Sequence, residues 1–248
     1  MTKISYSNRG VTVLAKPGVK TEREIQIDAD FAICTIPLGV LQKEDVEFNP
    51  AFSNEKMDAI NHFRMGNYEK IYAQFPYNFW GDKEVLMSVS LDVPPSGSIM
   101  TWGLNLDIDK YFKGSHMLTF HSMGSVCRNM AKQGYTETRE KVYTMMKNMF
   151  GEKATYPSQI LVTNWTYDPY SYGSWSHMPY GFSKLKWALV RKNEKRLYFA
   201  GEHTSYNYGF VHSAYQTGLK VAEDIYNIIF DVHESPSSQR QFCPTNMY

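Results

Sequence analysis

The spacing of hydrophobic and polar residues predicts alternating strands and helices along most of the chain. Near the amino-terminal end, residues 3–13 alternate between apolar and polar types on both sides of the polar segment 7–10, which predicts a β-hairpin. Strand-like runs follow at residues 25–27 and 30–36, and the second ends in the turn-forming sequence Pro-Leu-Gly at residues 37–39. This part of the chain is therefore predicted to be rich in β-structure.

The middle of the chain shows both helical and strand-like periodicity. Ser53 can cap a helix that extends to Phe63, and Thr136 can cap a second helix that extends to Phe150. A methionine-rich stripe on the second helix indicates core packing rather than a cofactor site, and its members are Val142, Met145, Met146 and Met149. Strands are predicted at residues 70–75, 85–91, 98–104, 117–121 and 159–165.

The most informative stretch is residues 197–225. It opens with an apolar run at 197–200, continues with Gly201 and Glu202, and becomes helical from Phe210. This order predicts a strand, a loop and a helix, with a carboxylate near the amino end of the helix. In open α/β sheets ligands bind at that edge, and the N–H groups of a helix amino end favour an anionic ligand group. The simpler alternative is an ordinary strand–helix unit with an exposed glutamate.

The same helix carries small residues at intervals of four, namely Ala214, Gly218 and Ala222. Residues four apart lie on one face of a helix. This face is therefore predicted to pack close to a sheet.

Composition and net charge exclude several functional classes for this chain. The chain has 248 residues, which allows one large domain or two small ones, and 43% of its residues are hydrophobic, which permits a substantial core. A formal net charge of +1 argues against nucleic-acid binding. No uninterrupted apolar run reaches about 18 residues, so no membrane span is expected. Cys34, Cys127 and Cys243 are too few and too scattered for a disulfide framework, and no metal site is expected.

The segment GEHTSYNYGFVHSAYQTGLKVAE, residues 201–223, resembles the carboxyl-terminal FAD-binding segment of the flavin-containing amine oxidases, in particular the polyamine oxidase branch. The segment ADFAICTIPLGVL, residues 29–41, is similar to the strand that returns to the FAD domain in that family. The helix amino end would then face the N1 edge of the flavin, where partial positive charge stabilises the reduced ring. The resemblance implies that the following residues contact FAD or line the site: Gly201, Glu202, Phe210 and Val211.

Lys70 is the candidate catalytic residue. It follows Gly66 in the sequence GNYEK, and polyamine oxidases have a lysine after a similar segment. The resemblance implies that Lys70 holds a water molecule against flavin N5, where a cation favours electron flow into the ring. From its position alone, a lysine at a strand start more often points to water.

The aromatic sequence around Trp165 resembles the family pattern W-x-x-D-P followed by G-S-aromatic. The resemblance implies that Trp165 and Tyr170 lie at the cofactor and that Trp175 and Phe210 sandwich the substrate amine, whose methylenes and charge both suit aromatic rings. Such dense aromatics can alternatively build only a core. Ser174 stands where monoamine oxidases have a covalently attached cysteine, so the FAD is expected to be non-covalent.

The resemblance covers nearly the whole chain and implies a fold of the α/β plus α+β class. The expected architecture is the carboxyl-terminal part of a Rossmann-like FAD-binding domain with a mixed-sheet and helix substrate domain, as in amine oxidases and p-hydroxybenzoate hydroxylase. The expected parts are return strands at 1–43, a substrate-binding domain at 44–165, the carboxyl-terminal FAD-binding segment at 166–232 and a polar tail at 233–248. The fingerprint G-x-G-x-x-G does not occur in the chain. The chain is therefore expected to match a carboxyl-terminal half and to require the missing amino-terminal half of the FAD domain as a partner.

The activity implied by the resemblance is FAD-dependent oxidation of an amine, expected to be a polyamine such as spermine or spermidine. Oxygen would be the acceptor, with hydrogen peroxide and an aldehyde as products. An L-amino-acid oxidase is one alternative, and it would need a basic residue to pair with the substrate carboxylate. A catalytically incomplete fragment that acts as a structural or interaction module is another. A histone demethylase is less favoured because the sequence shows no inserted helical tower and no basic tail.

Overall fold

A computed structural model describes residues 1–16, 18, 23–87, 102–132 and 134–230 of the chain. The polar tail expected at residues 233–248, and the strand positions predicted at 88–91 and 98–101, lie outside the described residues. The described part is a mixed α/β structure with several sheets.

Strands and helices alternate along the chain. The strands are β1 (Lys3–Tyr6), β2 (Val11–Ala15), β3 (Ile25–Ala29), β4 (Ala32–Cys34), β5 (Glu47–Asn49), β6 (Arg64–Met65), β7 (Tyr68–Gln74), β8 (Val85–Met87), β9 (Trp102–Asn105), β10 (Met117–Met123), β11 (Gln159–Val162), β12 (Ser176–His177) and β13 (Leu197–Phe199). The helices are α1 (Leu38–Lys43), α2 (Asn54–His62), α3 (Gly124–Lys132), α4 (Tyr135–Phe150), α5 (Lys184–Arg191) and α6 (Val211–Ile229), with short 3₁₀ turns at Gly151–Lys153 and Glu202–Thr204.

The first sheet has the strand order β3-β2-β1-β5. The predicted hairpin is confirmed, because β1 and β2 pair antiparallel with Ile4 opposite Val13. The strand predicted at residues 30–36 is shorter and covers only β4. The strand ends at Cys34, and Pro37 is the cap residue of α1 where a turn was predicted. The N–H groups of Val40 and Leu41 both donate to the Pro37 carbonyl, at 3.0 and 3.1 Å, and the apolar side of this short helix is buried.

The predicted cap of α2 is confirmed, since the Ser53 hydroxyl accepts a hydrogen bond from the Lys56 N–H at 3.2 Å. The cap predicted for α4 is wrong by two residues. Gly134 occupies the cap position and its carbonyl accepts from the Thr138 N–H at 3.2 Å, so Thr136 lies inside the first turn. Extended backbone at glycine is compatible with a cap without any side-chain hydrogen bond. The methionine-rich stripe of α4 belongs to the core, as predicted.

The buried hydrophobic residues form two clusters. The first joins β1, α1, α2, α5 and β13, and it includes Ile4, Leu38, Ile60, Phe63 and Leu197. The second lies between one face of the β7–β10 sheet and α4, and it includes Ile71, Leu118, Phe120, Val142 and Met146. Cys34 is buried in the first cluster, as expected for a small hydrophobic side chain.

A buried lysine connects α2 to the segment before β13. Lys56 is 1% exposed, and its ammonium lies 3.8 Å from the centre of the Phe199 ring and 3.4 Å from Glu194. It also donates a hydrogen bond to the Lys192 carbonyl. Burial lowers the pKa of Lys56 to about 8, although Glu194 acts in the opposite direction. These contacts hold the last strand against α2.

The five-stranded sheet has the order β11-β7-β10-β9-β8 and carries the candidate catalytic lysine. Its strands β7 and β10 pair antiparallel, with Lys70 directly opposite His121. Side chains alternate between the two faces of a strand. Because Ile71 and Ala73 are buried in the second cluster, Lys70 and Tyr68 lie on the opposite face.

The long helix α6 is largely exposed in the described structure, and Ser213 is its buried residue. A Cβ added at Gly218 would meet nothing within 4 Å, and Ala222 is exposed. The small-residue face therefore does not pack against the described sheets as was predicted. Large apolar side chains are also more than half exposed along this helix, namely Val211, Tyr215, Leu219, Tyr226, Ile228 and Ile229. No helix within the described ranges is both long and apolar enough to cross a bilayer.

Candidate cofactor and substrate site

The carboxyl end of β13 is organised by Glu202. Its carboxylate accepts hydrogen bonds from the Ser176 N–H at 3.0 Å, the Ser176 hydroxyl at 2.7 Å and the Gly209 N–H at 2.6 Å. Gly201 precedes it with a φ of 132°, and a Cβ there would lie 2.9 Å from the buried His203 ring. Only glycine adopts this backbone readily. Glu202 therefore fastens β12 to the residue that precedes Phe210.

The buried histidine beside this carboxylate is neutral at physiological pH. Burial lowers the pKa of His203 to about 4, and the charge of Glu202 opposes that shift. His203 is 2% exposed. Within the described residues no group of three or more histidine, cysteine or acidic side chains could hold a metal ion.

The amino end of α6 presents free backbone donors. Phe210 is the cap residue without a side-chain cap, and the first N–H bonded to its carbonyl is that of Ala214, at 3.2 Å. The N–H groups of Val211, His212 and Ser213 thus have no hydrogen-bond partner in the described part of the chain. Val211 is 88% exposed and Phe210 is 59% exposed. This open, partly positive helix end suits an anionic edge of a ligand.

Trp175 lies next to this helix end. Its carbonyl accepts from the Gly66 N–H at 2.7 Å, and a Cβ added at Gly209 would lie 3.2 Å from its ring. The Trp175 ring also packs against Tyr68, with 5.0 Å between ring centres. The Phe210 ring instead stacks on His212 at 5.1 Å. The structure therefore brings the Trp175 and Phe210 segments together through Gly209, while their rings contact different neighbours.

Trp165, Tyr170 and Ser174 are held by one compact turn. The Trp165 carbonyl accepts from the Gly173 N–H at 2.8 Å, and the Ser174 hydroxyl donates to the Gly66 carbonyl at 2.8 Å. Trp165 is 46% exposed and Tyr170 is 72% exposed. The exposed faces of these two rings suit contact with a planar cofactor. The described residues are thus compatible with a flavin.

Glu69 organises the base of this turn and was missed by the sequence analysis. It is 0% exposed, yet its carboxylate accepts from Thr163 Oγ1 at 2.8 Å, Trp165 N at 3.1 Å, Thr166 N at 2.9 Å and Thr166 Oγ1 at 2.8 Å. Four donors balance the cost of burying the charge. A clue was available in the sequence. Glu69 is two residues from Ile71 and four from Ala73, so the three side chains share one face of the strand, and that face is buried.

Lys70 is fixed through its backbone on the adjacent strand. Its N–H donates to Thr163 Oγ1 at 2.9 Å, and its carbonyl accepts from the Thr163 N–H at 3.0 Å. The Lys70 ammonium makes no hydrogen bond or ion pair with the described residues, and it is half-buried. Its charge helps to lower the pKa of His121, after the larger effect of burial. The lysine is thus a positioned cation available to a ligand.

A family model described as flavin containing amine oxidoreductase matches residues 1–226. Polyamine oxidase 6 of Oryza sativa subsp. japonica is 31% identical over 99% of this chain and 46% of its own length. Polyamine oxidase 1 of Zea mays is 30% identical over 91% of this chain and 44% of its own length. An Arabidopsis thaliana homologue of lysine-specific histone demethylase 1 is 28% identical over 91% of this chain and 30% of its own length.

Solved structures show the same fold. Cyclohexylamine oxidase from Brevibacterium oxydans superposes with a TM-score of 0.70 at 20% identity, over 92% of this chain and 48% of that protein. A putrescine oxidase bound to putrescine superposes with a TM-score of 0.72 at 16% identity, over 91% of this chain and 47% of that protein. The chain spans less than half the length of these relatives. The match over residues 1–226 shows that the chain belongs to the flavin-containing amine oxidoreductase family.

Proposed function

We propose that this chain forms the substrate wall and the carboxyl-terminal cofactor segment of an FAD-dependent amine oxidase, with a polyamine such as spermine or spermidine as substrate. The observation that carries the proposal is the link between Lys70, Trp175 and the open end of α6. These groups are connected through Glu69, Gly66 and Glu202 by the hydrogen bonds described above. The similarity to plant polyamine oxidases supports the substrate class.

FAD, when bound, would accept a hydride equivalent from the amine and pass the two electrons to oxygen, which gives hydrogen peroxide, while water hydrolyses the resulting imine to an aldehyde and a shorter amine. In this proposal it is bound non-covalently, since Ser174 has no thiol and its hydroxyl is already bonded to Gly66. The free N–H groups at the start of α6 stabilise negative charge on the cofactor edge. The residues that hold it are Trp165, Tyr170, Ser174, Gly201, Glu202, Phe210 and Val211.

The amine is held by aromatic contact. Trp175 is 39% exposed and Phe210 is 59% exposed, so both rings keep surface available for a ligand. Aromatic faces hold the methylenes of an alkylamine by apolar contact and attract its cationic form. In this proposal residues 1–43 and 166–232 belong to the FAD domain, and residues 44–165 form the substrate domain.

Lys70 is the proposed catalytic residue, and Lys70→Met is expected to slow flavin reduction or reoxidation about a hundredfold. An ammonium that has no partner among the described residues can hold a water molecule and move a proton through it, whereas methionine keeps the bulk and removes both abilities. Rapid mixing would measure each half-reaction separately. Lys83→Met, which changes an exposed lysine of the same domain, is the control. Unchanged rates for both half-reactions would remove Lys70 from the mechanism.

The proposed activity is tested by joining the chain to an amino-terminal dinucleotide-binding half and mixing it anaerobically with spermine or spermidine. Rapid bleaching of the flavin absorbance is expected. Bleaching only by L-amino acids would replace the proposal with an amino-acid oxidase, and failure of every amine and amino acid to bleach a retained flavin would reject catalysis.

A second candidate function is a non-catalytic interaction module. It is favoured by one observation, the apolar residues that lie uncovered along α6. Joined to the amino-terminal half, a module would retain no flavin after dialysis, whereas an oxidase would remain yellow. The absorbance of the dialysed protein therefore separates the two functions before any substrate is added.

A further inference from the structure

A row of aromatic rings runs along the Lys70 face of the five-stranded sheet. Trp102 and His121 are stacked, with 3.8 Å between ring centres and 8° between planes. His121 contacts Tyr68 at 5.6 Å, and Tyr68 contacts Trp175 at 5.0 Å. The row therefore connects a central strand of the sheet to the proposed amine-binding ring.

The side chains of His121 and Tyr68 are joined by a hydrogen bond. The Tyr68 hydroxyl lies 2.5 Å from His121 Nδ1. Burial, and to a smaller degree the charge of Lys70, lower the pKa of His121 to about 4, while burial raises the pKa of Tyr68. The imidazole is thus neutral and the phenol keeps its proton. A neutral imidazole can accept the phenol proton at Nδ1, and this assignment places the ring proton on Nε2, which is buried without a hydrogen-bond partner among the described residues.

We propose that His121 is a positioning residue for the amine site, which fixes the Tyr68 ring against Trp175 by accepting the Tyr68 hydroxyl at Nδ1. The inference rests on the proposed amine oxidation, and it assigns no contact between His121 and the substrate. Trp102 fixes the plane of the imidazole by stacking on it. The imidazole then fixes the position of the Tyr68 hydroxyl through the hydrogen bond, and the hydroxyl fixes the orientation of the Tyr68 ring. Since Tyr68 and Lys70 share a face of β7, this placement defines the wall beside the catalytic lysine.

Three substitutions distinguish the effect of the hydrogen-bond acceptor at His121 from the effect of ring packing at this position. His121→Asn places an amide oxygen close to the former Nδ1 and keeps the acceptor while losing the ring. His121→Phe keeps a ring on Trp102 and loses the acceptor. Tyr68→Phe removes the donor. In the chain joined to an amino-terminal dinucleotide-binding half, His121→Phe and Tyr68→Phe are expected to raise the amine Kd about tenfold, with the limiting rate of flavin reduction less affected.

The amine Kd of His121→Asn is expected to stay within about twofold of that of the unsubstituted protein, because asparagine keeps the one hydrogen bond that positions Tyr68. The double variant of Tyr68→Phe and His121→Phe is expected to be no weaker than either single variant, since both remove the same interaction. An unchanged amine Kd for His121→Phe together with a raised amine Kd for His121→Asn would show that packing alone matters. That result would overturn the proposal.

A readout without flavin or amine keeps this inference separate from the proposed function. Nitrogen NMR of the imidazole should show the proton on Nε2, and Tyr68→Phe should change the Nδ1 signal. A proton on Nδ1, or no response to Tyr68→Phe, would overturn the role of His121 even if the protein oxidises amines. Failure of every amine to reduce the flavin would reject the proposed function, and with it the amine site, while a correct tautomer would still show the link between His121 and Tyr68.

Discussion

Gly39→Ala is expected to lower the free energy of unfolding by about 3 kcal/mol or more. A Cβ at this position would lie 2.2 Å from the Ser171 carbonyl oxygen, 2.9 Å from Tyr172 Cβ and 3.0 Å from the Tyr172 carbonyl oxygen. Two of these three atoms are backbone, so no rotation of a side chain can relieve the contact. The loop must move away from α1, and the tie between the Ser171 hydroxyl and the Trp165 carbonyl at 3.1 Å moves with it.

Chemical denaturation of the two proteins would measure the loss. Gly218→Ala is the matched control, because it makes the same change inside a helix where an added Cβ meets nothing within 4 Å. Helix propensity predicts that the control gains up to about 1 kcal/mol. If Gly39→Ala were as stable as the unsubstituted chain, the close approach of α1 to the Ser171 loop would be incorrect.

Glu69→Gln is expected to cost about 4 kcal/mol of unfolding free energy and to loosen the turn that carries Trp165. Each carboxylate oxygen of Glu69 accepts one backbone N–H and one hydroxyl, with Trp165 N on one side and Thr166 N on the other. A glutamine side chain has a single acceptor oxygen. The NH₂ group of the glutamine must therefore face one of the two backbone N–H groups. A hydroxyl could rotate to accept a hydrogen bond from the NH₂ group, but a backbone N–H cannot.

Denaturation together with tryptophan fluorescence would check this prediction. Glu223→Gln serves as the control, since Glu223 lies on the exposed side of α6 and its ion pair with Lys220 spans 4.0 Å. Exposed substitutions of this kind change stability by no more than about 0.5 kcal/mol. Equal stability of Glu69→Gln and Glu223→Gln would mean that the Glu69 carboxylate does not hold the turn.

Local features of the fold could be predicted from the sequence because their causes are local. The first hairpin depends on a turn and two alternating runs, and the cap by Ser53 bonds to a residue only three positions away. The stripe of α4 depends on helical periodicity alone. The roles assigned to Lys70 and Trp175 came instead from family resemblance, and they remain proposals.

Features that depend on distant partners could not be predicted in this way. Glu69 finds its donors at Thr163 and Thr166, and Gly39 is required by the backbone near Ser171. No periodicity within either segment indicates such a neighbour. The expected packing of the small residues of α6 also depends on a distant partner, and a Cβ added at Gly218 meets no described atom within 4 Å.

The parallel pairing of β13 with β4 has a consequence for the order of folding. Leu197 pairs with Ala32, so the two strands come from opposite ends of the described chain. Closing so long a loop is slow, and it cannot occur on the ribosome until β13 has emerged. The β7–β10 sheet and α4 need no such wait, because their partners are close in sequence. We therefore expect the second hydrophobic cluster to form before the first is completed, since the pairing of β4 requires β13.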